Sequence, residues 1–173
     1  MGMRPAKYDL TAHPSFLLSQ LGFHVATQFT QRLKPLGINP RQYGVLTHVA
    51  NHEGLSQQEL AESLSIPPNA MVALVDDLES QRLAERRRDP DDRRAYAVLV
   101  SNKGLALLEQ ARDIVDGLDA ELLGHLSSDS RRSLVRTLRD LAVGVGLPVG
   151  VHPGLRNIER SRNVGDSRSR PRK

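Results

Sequence analysis

Three helix-start signals fall within positions 39–68, and they limit the middle of this chain to short helices joined by tight turns. Asn39-Pro40 supplies a side-chain cap followed by proline at the first helical position, where its missing N–H is no loss. Ser56-Gln57-Gln58-Glu59 is a capping box, in which the serine and glutamate side chains each satisfy an orphaned amide. Pro67-Pro68 opens a third helix. Apolar residues at helical spacing follow each start: Tyr43, Leu46, Val49 and Ala50; then Leu60, Ala61 and Leu64; then Met71, Leu74, Val75 and Leu78. The first of these helices ends near Glu53-Gly54 and the third near Gln81.

The flanks obey the same grammar. Residues 14–34 repeat Leu18, Leu21, Val25, Phe29 and Leu33 at helical spacing, widened by Phe16 and Leu17, and stop at Lys34-Pro35. After Gln81, Leu83–Arg87 and Tyr96–Val100 have β character and flank a polar turn, Arg88 to Arg94, rich in aspartate with a proline. That predicts a hairpin. Ser101 caps a long helix over about 101–125 with Leu105, Leu108, Ala111, Ile114, Val115, Leu118 and Leu122 inward, and a last helix covers about 129–144. Two short helices, a tight turn and a hairpin make a winged helix-turn-helix, so the fold class is mainly α with a two-stranded wing. In that arrangement the second helix enters the DNA major groove and the wing reaches phosphates or the minor groove.

Composition narrows the rest. Among 173 residues there is no Cys, which excludes disulfides, thiolate metal sites and thiol nucleophiles, and no Trp with three Phe and three Tyr, which argues against base-stacking platforms. No apolar run reaches the length needed to span a bilayer, and MGMRPAKYDL lacks a secretory core, so no membrane partner and a cytoplasmic location are expected. The formal net charge is +4 and the sequence pI about 9.8. Residues 145–173 hold seven basic and two acidic side chains, so the excess lies in that segment. Within the remainder, six basic residues crowd into positions 82–94, a local cluster that points to phosphate contact.

At this point the residues resemble a known family. GINPRQYGVL (Gly37–Leu46), QQELAESLSI, LVDDLE, ERRRDPDDRRAYAV and SNKG are similar to the MarR family of transcription regulators, from about Phe16 to Leu141. The D-P-x-D-R-R wing after L-x-x-L-E carries the most specific part of the likeness. The resemblance implies a homodimer on a palindromic double-stranded DNA operator, most often a repressor, and a small aromatic or other organic effector between the DNA-binding and dimerisation parts. Residues 1–12 are then a flexible N-terminus and 13–144 the MarR-type domain. Its winged helix covers about 36–100, its dimerisation helices about 13–34 and 101–144, and 145–173 is a basic disordered tail. The tail is either a non-specific DNA tether or solubilising disorder. The chain departs from the family at Arg82, where glycine is usual, and at Val100-Ser101, where Leu-Thr is usual.

Candidate DNA-binding residues are Ser56, Pro68, Asn69, Val72, Ala73, Arg86, Arg87, Arg88, Asp92, Arg93 and Arg94. Asn69 suits an adenine edge, and Val72 and Ala73 offer contact to thymine methyls. By resemblance Arg94 reaches the minor groove and Asp92 holds it, while Arg86, Arg87, Arg88 and Arg93 contact phosphates. Asp77, read on the outward face beside Asp76, would repel phosphate. His13, His24, Tyr43 and His48 are candidates to line the effector pocket, or ordinary packing residues. His48 and His52 stand four apart, a metal-compatible spacing, but no further ligands have convincing spacing; neither metal nor cofactor is expected. The apolar stripes of the last two helices favour a dimer over a closed monomeric core. A protein-binding winged helix without DNA recognition, motivated by Asp76 and Asp77, is the alternative. An enzyme is not expected, since no nucleophile motif or phosphate loop is present.

Overall fold

The computed structural model describes residues 9–88 and 96–155. α1 spans Pro14–Leu33 and α2 Pro40–Asn51, joined through a 3-10 turn at Lys34–Leu36 that proline enforces. α3 covers Gln57–Ser63 and α4 Pro68–Ser80. The strands β1, Ala84–Arg88, and β2, Tyr96–Val100, precede α5, Asn102–Leu123, and α6, Ser128–Gly144. The helix starts are where the local chemistry puts them. Asn39 Oδ1 accepts from the Arg41 and Gln42 amides at 2.9 and 3.0 Å, and Gln42 Oε1 returns the bond to the Asn39 amide at 2.7 Å. Ser56 and Glu59 exchange the same reciprocal pair at 3.2 and 2.7 Å.

β1 and β2 pair antiparallel, from Ala84 opposite Val100 to Arg88 opposite Tyr96. β2 also touches the residues before α3: Ala97 bridges Ser56, and the Val98 amide donates to the Leu55 carbonyl at 2.9 Å. The wing is thereby fastened to the helix-turn-helix by backbone bonds. Between them lies the core, in which Leu46, Leu60, Leu64, Met71, Leu78 and Val98 are closed to solvent. Burying each such side chain contributes about 1.5–3 kcal/mol, which outweighs the weak propensity of a seven-residue helix such as α3.

Two backbone positions hold the transition from α4 to the wing. Arg82 adopts a left-handed φ of 60° where the family's glycine would sit at no cost. Gly104, in the first turn of α5, passes so close to Leu83 that a Cβ there would stand 2.1 Å from its carbonyl oxygen.

The disordered-tail expectation is corrected at its near end. Pro153–Leu155 forms a 3-10 turn, Leu155 is 6% exposed, and Val151 packs on the same core. Leu155 fits because Gly44 on α2 has no side chain: a Cβ on Gly44 would lie 2.8 Å from Leu155 Cδ2. Residues 1–8 and 156–173, and the tail and N-terminal expectations that fall on them, lie outside the described residues. α6 buries none of its residues, and Val135, Leu138 and Leu141 remain 40, 41 and 51% exposed.

Candidate nucleic-acid interface

α4 is rooted by one face and bare on the other. Met71, Val75 and Leu78 are fully buried, while Asn69, Val72 and Ala73 point to solvent, with Val72 42% exposed. Pro68 occupies the first turn and Asn69 Oδ1 accepts from the Ala70 amide at 2.9 Å. Ser56, spent as the α3 cap, is half-buried beside β2. Arg87 is exposed and paired with Glu85. Arg88 donates from Nε to Tyr96 Oη at 3.3 Å, with its guanidinium 5.9 Å from the ring centre, and that bond raises its pKa further. Asp92, Arg93 and Arg94 lie outside the described residues.

Two sequence expectations are revised by partners that lie far away in the chain. Arg86, expected on phosphate, is turned inward. It donates to Gln57 Oε1 from Nε and Nη2 at 3.1 and 2.8 Å, to Asp76 Oδ1 at 2.6 Å, and to Glu79. Glu79 Oε1 also accepts the Arg86 amide at 2.7 Å. One guanidinium thus staples α3, α4 and β1 together. Asp77, expected to repel phosphate, instead accepts from Gln42 Nε2 at 2.5 Å, and Gln42 is 3% exposed. With Asp76 matched by Arg86 and Asp77 tied to α2, neither carboxylate stands as an unopposed charge beside the reading face.

The end of α4 is held by α5. Ser101 Oγ donates to the Arg82 carbonyl at 2.7 Å, and Lys103 Nζ donates to the Gln81 carbonyl at 2.8 Å. At its other end α5 is joined to α1 by a two-pronged pair, in which Arg32 donates to both carboxylate oxygens of Glu121 at 2.9 and 2.5 Å. The pair raises the Arg32 pKa and holds the Glu121 carboxyl below its usual range.

The four effector-pocket candidates have different neighbours. His13 stands exposed at the start of α1, and His24 is exposed further along it. Tyr43 meets Phe29 edge to face at 5.3 Å. His48 faces α3, with Nε2 3.0 Å from Ser63 Oγ, and stacks on His52 at 4.3 Å. Burial, and then the neighbouring His52, lower the His48 pKa. Among the described residues no three His, Asp or Glu side chains are grouped to hold a metal ion, and no helix is long and apolar enough to cross a membrane.

Sequence reasoning missed two features. An open groove of about 400 Å³ runs along α6, lined by Arg131, Arg132, Val135, Arg136 and Arg139, whose spacing was legible as a basic helical stripe. On α2, Arg41 Nε and Nη2 and Thr47 Oγ1 are buried with no hydrogen-bond partner. Nothing in the sequence marks those three atoms, because their burial is a tertiary property.

Known proteins share this arrangement. The MarR family model matches residues 36–95. The chain is 31% identical over 148 residues to a protein of Thauera aromatica described as a transcriptional regulatory protein for the hcr operon, spanning 80% of this chain and 89% of that relative. Among solved structures, the transcriptional repressor CouR bound to a 23-mer DNA duplex is similar with a TM-score of 0.68 and 28% identity, over 81% of this chain and 99% of that one. CouR from Rhodococcus jostii RHA1 bound to p-coumaroyl-CoA is similar with a TM-score of 0.67 and 28% identity, over 84% of this chain and all 100% of that one.

Proposed function

Because the chain belongs to the MarR family of transcriptional regulators, we propose that it is a homodimeric, sequence-specific DNA-binding repressor released by a small organic effector. The observation that carries this reading is the outward face of α4, where Asn69, Val72 and Ala73 are free to solvent while the opposite face is locked into the core. A helix held this rigidly loses little freedom on entering a major groove. Arg87 and Arg88 supply phosphate contacts beside it, and Arg94 supplies the minor-groove contact, since Arg suits narrow grooves of concentrated negative potential. Arg86 positions the wing from within. Similarity to CouR, a repressor solved with a DNA duplex and with an acyl-CoA ligand, supports both halves of the proposal.

The unpartnered apolar stripe on α6, with the exposed Leu17, Leu18 and Leu21 on α1, supports dimerisation through these helices. Two symmetric α4 helices about one DNA turn apart, ~34 Å, fit a palindrome in cytoplasmic DNA. The protein-binding alternative loses its motive, because Asp76 and Asp77 are both engaged. A mobility-shift assay with the DNA upstream of its own gene tests the proposal. We expect a sequence-selective shift that Arg94→Ala weakens by about 1–3 kcal/mol. No selective shift at low salt without ligand would sink it.

A further inference from the structure

Buried polar groups are ordinarily hydrogen-bonded, and buried charges are paired. Arg41 is an exception. Its Nε and Nη2 atoms are closed to solvent and bonded to nothing, and Thr47 Oγ1 is in the same condition. Nε–H and Nη2–H form the side edge of a guanidinium, two parallel donors that match the two oxygens of a carboxylate. Such an edge, dry and unused, is a specific vacancy for one kind of anion.

What lies beside it is apolar and weakly held. Arg41, Gly44 and Thr47 follow at three-residue steps along α2, so they share one broad face of the helix. Over Gly44 sits Leu155, closer than any side chain at position 44 would allow. Leu155 comes from a single 3-10 turn, reached through Gly146 and Gly150, both at a left-handed φ of 73°. The chain leading to it is exposed, with Val149 at 87%. A segment docked by so few buried contacts opens at low free-energy cost relative to the core.

We propose that this face of α2 binds a small organic acid. Arg41 takes the carboxylate side-on, and the apolar body fills the place over Gly44 that Leu155 occupies. Thr47 offers its hydroxyl as a further donor. Leu155 is then a built-in competitor that keeps the apolar site dry until the acid displaces it. The inference deepens the effector half of the reading above and rests on it. It also moves the ligand's anchor from the histidines to Arg41.

The experiment titrates the full-length protein with benzoate, phenylacetate and cinnamate, and with the amide of each, following heat of binding and Tm. At least one acid should bind and raise Tm while its amide, which offers one acceptor oxygen in place of two and no charge, does neither. Arg41→Met, which keeps the stem and removes the fork, should weaken that acid by at least about tenfold. Arg41→Lys, which keeps the charge without the fork, should weaken it too and serves if the methionine variant does not fold. Leu155→Ala should tighten the acid by about tenfold, because a larger fraction of molecules is then open to ligand. Acid and amide binding alike, full affinity in both Arg41 variants, weaker binding in Leu155→Ala, or no binding by any acid would each overturn the inference. A parallel mobility shift with the wild-type protein keeps the two levels apart. Selective DNA binding with failed acid binding overturns this inference alone, whereas absent DNA binding overturns the reading beneath it.

Discussion

Replacing Arg86 with methionine keeps the aliphatic stem and removes every bond that joins α3, α4 and β1 through one guanidinium. The magnitude follows from exposure. The arginine side chain is 23% exposed, Glu79 33% and Asp76 59%, so the three arms are unequal. The Asp76 arm is close to a surface pair and contributes about 0–1 kcal/mol. The Glu79 and Gln57 arms are more shielded charge-assisted bonds, each about 1–2 kcal/mol once solvent competition is discounted. The variant should therefore lose about 3 kcal/mol of stability, or roughly 6–12 °C in Tm for a chain of this size. Urea unfolding by far-UV circular dichroism at one fixed protomer concentration measures it, since dimerisation makes stability concentration-dependent. Operator affinity across a salt series supplies the second readout. A lost phosphate contact would reduce the salt slope by about one, whereas a lost internal staple lowers affinity at unchanged slope. Unchanged stability with a slope reduced by about one would refute the staple and return Arg86 to the phosphates.

Gly104→Ala should destabilise by about 3 kcal/mol, because its Cβ would meet the Leu83 carbonyl and Val100 at 2.1 and 2.7 Å; denaturant midpoints check this. The His48 pKa is depressed in the folded state, so the unfolded chain binds more protons below the ordinary histidine value of about 6.5. Stability from this group is complete above that value and is lost as pH falls towards the folded pKa; His48→Gln should flatten the decline in Tm measured across that window. Leu138→Glu with Leu141→Glu, on the exposed stripe of α6, should give a folded monomer by light scattering at micromolar protein, and a persistent dimer would exclude α6 from the interface.

What was legible in the sequence was local. Asn39, Ser56 and Ser101 cap helices through bonds to amides two or three residues away, so type and spacing suffice to find them. Arg82 was legible as a glycine-like position for the same reason. The revisions concern partners distant in sequence. Asp77 meets Gln42 from 35 residues away, and Arg86 meets Gln57 from 29, so helical-wheel reasoning put both on the solvent side. Leu155 escaped because composition averages over a segment, and one leucine among Gly and Pro does not alter the average even when a gap on α2 awaits it. Arg41 escaped because a charged residue in a first helical turn reads as surface until its surroundings are known.

The bonds from Ser101 and Lys103 to the last carbonyls of the reading helix have a geometric consequence. They make α4 an extension of α5 rather than a neighbour of it. With 22 residues, α5 is a rod about 33 Å long. Pivoted at its far end, where Arg32 grips Glu121, such a rod needs a tilt of only about 6° to carry its near end about 3.4 Å, one base-pair step. In a twofold assembly the two displacements oppose each other and double. A change too small to repack any core residue would then put the two reading heads out of phase with a palindrome.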